Sequence, residues 1–154
     1  PVAAVLGEAL PASLALGALS LALSYAVGVA LGTWQAALRA AGTRAGRRAD
    51  AALTALTTTA YAAPSYWLGL GLIALFTAGA ARWGWPAWLR LPAFGASDPA
   101  GALTGLAAWQ DRLRHAVLPV GVLTAVGAVG VARYARAAVG DALAGDFVRT
   151  AVAK

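Results

Sequence analysis

The chain has no cysteine and no methionine among its 154 residues, and only 12% of its side chains are charged. Without cysteine there is no disulfide and no thiolate metal site. A charged fraction about half of the usual ~25% leaves little polar surface to face water around a soluble fold of this size. Carboxylates are scarcest, with 6 Asp and Glu against 12 Lys and Arg. The lone histidine, His115, is one ligand where a metal site needs several, and no metal or other cofactor is expected. No glycine-rich loop ends in Gly-Lys-Ser/Thr, so the chain carries no phosphate loop for ATP. No Ser/His/Asp set and no pair of carboxylates inside an apolar stretch is present, which argues against hydrolytic catalysis and against a carboxylate proton relay. No basic segment followed by a short apolar stretch and cleavage site opens the chain, so no signal peptide is visible.

What remains is apolar. Hydrophobic residues make up 60% of the chain and the mean hydropathy is +0.70. Charges punctuate three uncharged windows, Ala9–Leu38, Ala51–Ala81 and Ala116–Ala132. A bilayer core of about 30 Å takes about 20 helical residues. The first two windows exceed that. The third reaches only about 26 Å at ~1.5 Å per residue, and it spans if Arg133 and Arg136 extend toward the interface. The expected fold class is therefore an all-α membrane protein with three transmembrane helices over about 11–37, 48–80 and 114–140. Pro11 is placed in the first turn of the first helix, where a missing N–H costs nothing. An external segment is expected over about 82–113, where Trp83, Trp85, Trp88 and Trp109 suit a membrane–water interface.

The basic residues set the topology. Arg39, Arg44, Arg47, Arg48, Arg133, Arg136, Arg149 and Lys154 fall on one side, and Arg82, Arg90, Arg112 and Arg114 on the other. The excess places the first loop and the C-terminal tail in the cytoplasm. With basic residues at the ends of apolar windows, the net charge of +6 reads as topology signal and lipid headgroup contact, not as nucleic-acid binding. The chain begins with Pro1 and stops at Lys154 in what reads as mid-helix, so it is read as an internal piece of a longer protein.

Three features bear on function. Ser20, Ser24, Gly28 and Gly32 recur every four residues, a ridge that lets another helix approach closely. It serves ordinary helix packing or lines a pathway. In the second window Thr54, Thr57, Thr58 and Thr59 precede Tyr61, Pro64 and Ser65. Pro64 denies a hydrogen bond to the carbonyl of Ala60 and should kink the helix. Thr54, Thr58, Tyr61, Pro64 and Ser65 are the candidate pathway-lining residues, against the plainer reading of a packing kink with hydroxyls bonded to their own helix. Val139, Leu143 and Phe147 form an apolar stripe on the cytoplasmic tail, which suits a lipid surface or a partner's groove.

Several stretches resemble a known family. Leu10-Pro11-Ala12-Ser13-Leu14 with Gly28-Val29-Ala30-Leu31-Gly32, then Ala63-Pro64-Ser65-Tyr66-Trp67-Leu68-Gly69, then Leu113-Arg114-His115-Ala116-Val117-Leu118-Pro119, then Asp146-Phe147-Val148-Arg149-Thr150-Ala151 occur in order. They are similar to the second, third and fourth membrane helices and the opening of the cytoplasmic EAA motif of ABC importer permeases. The nearest branch is that of dipeptide, oligopeptide and nickel permeases. Val152 departs from the basic residue usual there.

The resemblance implies a partial ABC transmembrane domain over 1–154, with a coupling segment over 141–154 that docks on a separate ATPase subunit. Asp146, Phe147, Val148, Arg149, Thr150, Ala151 and Lys154 would carry that coupling. It further implies a bacterial inner-membrane, multi-pass location, a second permease subunit in a heterodimer, an extracytoplasmic solute-binding protein and no enzymatic activity of its own. The competing classes are a membrane-embedded enzyme and a structural membrane module that recruits a partner through its tail.

Overall fold

In the computed structural model, residues 2–98 and 103–145 are described, and among them there is no strand. The helices are α1 (Val2–Ala40), α2 (Arg44–Ala62), α3 (Ser65–Ile73), α4 (Ala80–Arg82) and α5 (Gly105–Ala144). A π-helical turn, Ala74–Gly79, joins α3 to α4, and a 3₁₀ turn covers Ala87–Leu89. Helices α1 and α5 are long and apolar enough to cross a membrane, and α2 with α3–α4 forms a third span if the bent pair counts as one. The protein is an all-α membrane protein.

The helices differ from the sequence expectation in ways that share a cause. Helix α1 starts at Val2 and not near Pro11, so Pro11 lies inside it. Helix α5 starts at Gly105, within the segment assigned to the external loop. The first loop shrinks to residues 41–43. Charges mark where a bilayer ends, not where a helix ends, because charged and neutral long side chains have similar helix propensity. The single helix expected over 48–80 is broken. The Ala63 N–H still donates to the Thr59 carbonyl at 3.1 Å, but Ala63 and Pro64 are extended, with ψ of 132° and 133°. The clash of the proline ring with the preceding residue disfavours helical geometry at Ala63.

The chain divides into two compact units, Pro1–Ser20 with Pro64–Leu123, and Leu21–Ala63 with Thr124–Lys154. In the first, the loop after α4 is tied down by backbone groups. Leu91 donates its N–H to the Phe76 carbonyl in the π-helical turn at 3.0 Å, and its own carbonyl accepts from the Thr77 hydroxyl at 2.7 Å. Arg114 on α5 donates to the carbonyls of Ala87 and Arg90 at 2.8 and 2.7 Å. Asp111 accepts from the Asp98 N–H at 2.8 Å, and His115 Nδ1 lies 2.9 Å from the Asp111 carbonyl. By sequence Arg114 counts only as a topology charge and His115 only as a lone histidine. Arg114 and Asp111 clamp this loop against α5, and His115 bonds to Asp111 within the helix itself.

In the second unit a tight turn links α1 to α2. Gly42 takes φ of +67°, a conformation that glycine adopts without a Cβ penalty. The Thr43 hydroxyl then caps α2 by accepting from the Gly46 N–H at 3.0 Å. Thr43→Ala is expected to cost about 1 kcal/mol of stability. Denaturant titration of the purified protein in detergent would measure it, and a loss below a quarter of that value would remove the cap from the account.

Candidate functional site

Polar side chains from three helices converge within the second unit. Helix α1 supplies Gln35 and Arg39, one turn apart. Helix α2 supplies Asp50, Thr54, Thr57 and Thr58 along one face, and α5 supplies Arg133 and Arg136. Asp50 is 3% exposed. Arg136 grips it with both arms of its guanidinium, Nε to Oδ1 at 2.8 Å and Nη2 to Oδ2 at 2.6 Å. Arg39, on the exposed side, approaches Oδ2 at 3.6 Å. A buried carboxylate without a partner is costly, so this fork is the condition for Asp50 being inside at all.

Around that pair the remaining polar groups are satisfied locally. Gln35 is 2% exposed and donates from Nε2 to the Thr54 hydroxyl at 3.5 Å, a long bond. The Thr57 hydroxyl turns back to its own helix, toward the carbonyls of Leu53 and Thr54 at 2.9 and 3.0 Å. The Arg133 guanidinium lies over the Tyr61 ring, 5.4 Å from its centroid. A groove of about 750 Å³ runs beside the pair, lined by Arg39, Arg47, Thr54, Thr58, Thr59 and Arg136 among others. A smaller one of about 290 Å³ is lined by Gln35, Thr54, Thr57, Thr58, Arg133 and Arg136.

The seam between α1 and α5 in this unit is built from small residues. A Cβ added at Gly28 would stand 2.6 Å from Val131 Cβ and 2.7 Å from the Ala128 carbonyl. One added at Gly32 would collide with the Ala132 carbonyl. The Ser24 hydroxyl donates across the seam to the Thr124 carbonyl at 3.4 Å. Ser20 belongs to the other unit, where it is buried and its Oγ has no hydrogen-bond partner among the described residues. Of the candidate pathway residues, the structure gathers Thr54 and Thr58 on the groove and Tyr61 beneath Arg133. Pro64 and Ser65 are exposed at the start of α3, in the other unit. The coupling residues Asp146, Phe147, Val148, Arg149, Thr150, Ala151 and Lys154 lie outside the described residues.

The family of binding-protein-dependent transport system inner membrane components matches residues 28–154. The chain belongs to that family. An oligopeptide transport system permease protein, OppB, of Mycobacterium bovis is 33% identical over 108 residues, and so are proteins of the same name from two strains of Mycobacterium tuberculosis. Each match covers 68% of this chain and 31% of the relative, so the chain spans about a third of the length of these relatives. The family match contains the Asp50–Arg136 fork, the Thr54–Thr58 groove and the break at Pro64.

Sequence reasoning missed the fork. In the linear sequence Asp50 stands in a charged stretch with Arg39, Arg44, Arg47 and Arg48, and Arg136 reads as a cation at a span end. The available signal was that Asp50 is the sole acidic residue from Ala9 to Ala81, directly bounding an uncharged window. Gln35 offered the same kind of signal, an amide inside an uncharged window.

Proposed function

We propose that the chain forms part of the membrane-embedded permease subunit of an ATP-driven importer, contributing to the translocation path for peptides or a similar small solute. The observation that carries this reading is the family match over residues 28–154. The uncharged windows support it, because a path that takes its energy from elsewhere needs no ionisable relay along them. The peptide class rests on the name of the mycobacterial relatives. The subunit sits in the bacterial cytoplasmic membrane as a multi-pass protein. It pairs with a second permease subunit, receives solute from an extracytoplasmic binding protein and couples to separate ATPase subunits through Asp146–Lys154. It is not itself an enzyme. Thr54, Thr58 and Tyr61 face the path in this reading, with Pro64 and Ser65 at the bend.

Phe147→Asp tests the coupling. A charge on the apolar stripe Val139–Leu143–Phe147 would be buried unpaired in a partner's cleft. Purification of the importer from membranes is expected to bring an ATPase subunit with it, and Phe147→Asp to release that subunit while the permease remains folded. A folded wild-type permease that never carries an ATPase would overturn the importer reading. Retention by Phe147→Asp would overturn the assignment of this segment alone.

A further inference from the structure

The groove beside Asp50 shares Thr54 and Thr58 with the proposed path, but the importer reading gives its arginines and alanines no role. Its floor is one face of α2, where Arg47, Asp50, Ala51, Thr54, Ala55 and Thr58 follow at helical spacing over about 16 Å. Arg39 and Arg136 close its sides. Its charges do not cancel. Asp50 is consumed by the Arg136 fork, and Arg39 and Arg47 are left in excess. Arg39 spends one donor on a 3.6 Å approach to Asp50, and its side chain is 71% exposed. Arg47 spends Nη1 on the Gly42 carbonyl. Each guanidinium has five N–H donors, so most remain to be offered at the mouth of the groove. The two arginines also stand where the uncharged windows of α1 and α2 meet the water interface, and the positive end of the α2 dipole lies there too. Deeper in, the lining changes to Ala51, Ala55 and threonine hydroxyls, small residues that leave a channel for a chain and not for a bulky head.

We propose that this groove binds an anionic glycerophospholipid, with its phosphate between Arg39 and Arg47 and its glycerol and first acyl carbons along the Arg47–Ala51–Ala55 row of α2, beside the threonines that face the path. Charge selects the head: Arg47 has no carboxylate partner among the described residues and Arg39 only a 3.6 Å approach to a carboxylate already held by Arg136, so together they favour a phosphate diester that lacks a compensating ammonium. Shape selects a lipid over a free phosphate, because the alanine and threonine trough is otherwise wasted. The bound lipid would cover the exposed side of the Asp50–Arg136 fork and keep water from it. The site is independent of ATPase coupling, and its test reads lipid binding and not transport.

The test is native mass spectrometry of the detergent-solubilised importer titrated with phosphatidylglycerol, phosphatidylcholine or inorganic phosphate. Phosphatidylglycerol is expected to bind in preference to phosphatidylcholine, and inorganic phosphate at equal concentration not to displace it. Arg39→Gln with Arg47→Gln is expected to weaken phosphatidylglycerol about fivefold per arginine removed. Both side chains are peripheral to the fork, so the fold should survive. Ala55→Leu keeps every charge but fills the trough, and it should also release the lipid. Arg82→Gln, which does not line the groove, should change nothing. Equal binding of the two lipids overturns the proposal. So does displacement by inorganic phosphate, or an unchanged preference in Ala55→Leu, which would reduce the attraction to a diffuse surface charge.

Discussion

Arg136→Met will destabilise the protein by about 3–5 kcal/mol, and adding Asp50→Leu to it will restore most of that loss. The single change strands a carboxylate that is 3% exposed, with only the solvent-facing Arg39, 3.6 Å away, to answer it. The double change removes both charges and lets α2 meet α5 through apolar contact. Breaking a buried pair is expensive because of the orphan, while deleting it costs little because two desolvation penalties vanish together. Unfolding in graded SDS, followed by tryptophan fluorescence, would read both effects. A double variant less stable than Arg136→Met would mean that the fork itself, and not relief of an orphan, stabilises the packing of α2 on α5. The charge-swapped pair Asp50→Arg with Arg136→Asp should fall between, since the fork geometry of arginine is not reproduced from the opposite helix.

Gly32→Leu is expected to give the other large effect, loss of folded protein. The first atom added at Gly32 meets backbone, the Ala132 carbonyl, and backbone cannot rotate aside as a side chain can. Overpacking a well-packed site costs about 1–3 kcal/mol, and a collision with a carbonyl belongs at or above the top of that range. Gly28→Leu should behave similarly, with Val131 and the Ala128 carbonyl in the way. Gly17→Leu is the matched control on the same helix, because nothing lies within 4 Å of a Cβ there. The yield of monodisperse protein after detergent extraction separates them. Equal yields from Gly17→Leu and Gly32→Leu would mean that the α1–α5 seam is not closely packed in the membrane.

These two predictions meet at one place for a physical reason. In lipid there is no hydrophobic drive to join helices, so association depends on close backbone approach and on polar bonds made across the contact. Gly28 and Gly32 supply the approach of α1 to α5, and Asp50 with Arg136 supplies the polar bond of α2 to α5. Much of the described helical surface is left apolar. Leu14 is 63% exposed, Leu21 60% and Val27 47%. Such side chains face lipid or other membrane helices at no cost, which is why they say little about which neighbour each helix has.

Composition and charge spacing by themselves determined that this is a helical membrane protein, because uncharged windows of this length have few other stable homes. Residue order carried the family resemblance, since short motifs at fixed spacing survive in a linear reading. The four-residue period of Ser24, Gly28 and Gly32 made a close helix contact legible, though not its partner. Only the tertiary structure decided that Asp50 pairs with Arg136, 86 residues away along the chain. An arginine at a helix end has the same local signature whether it faces headgroups or a buried carboxylate, and only the fold brings the carboxylate within reach. Helix ends were likewise undecided by sequence. Pro64 marked the bend in the second span through its own sterics, though not a full break, while the start of α5 at Gly105 is encoded by no window of charge or hydropathy.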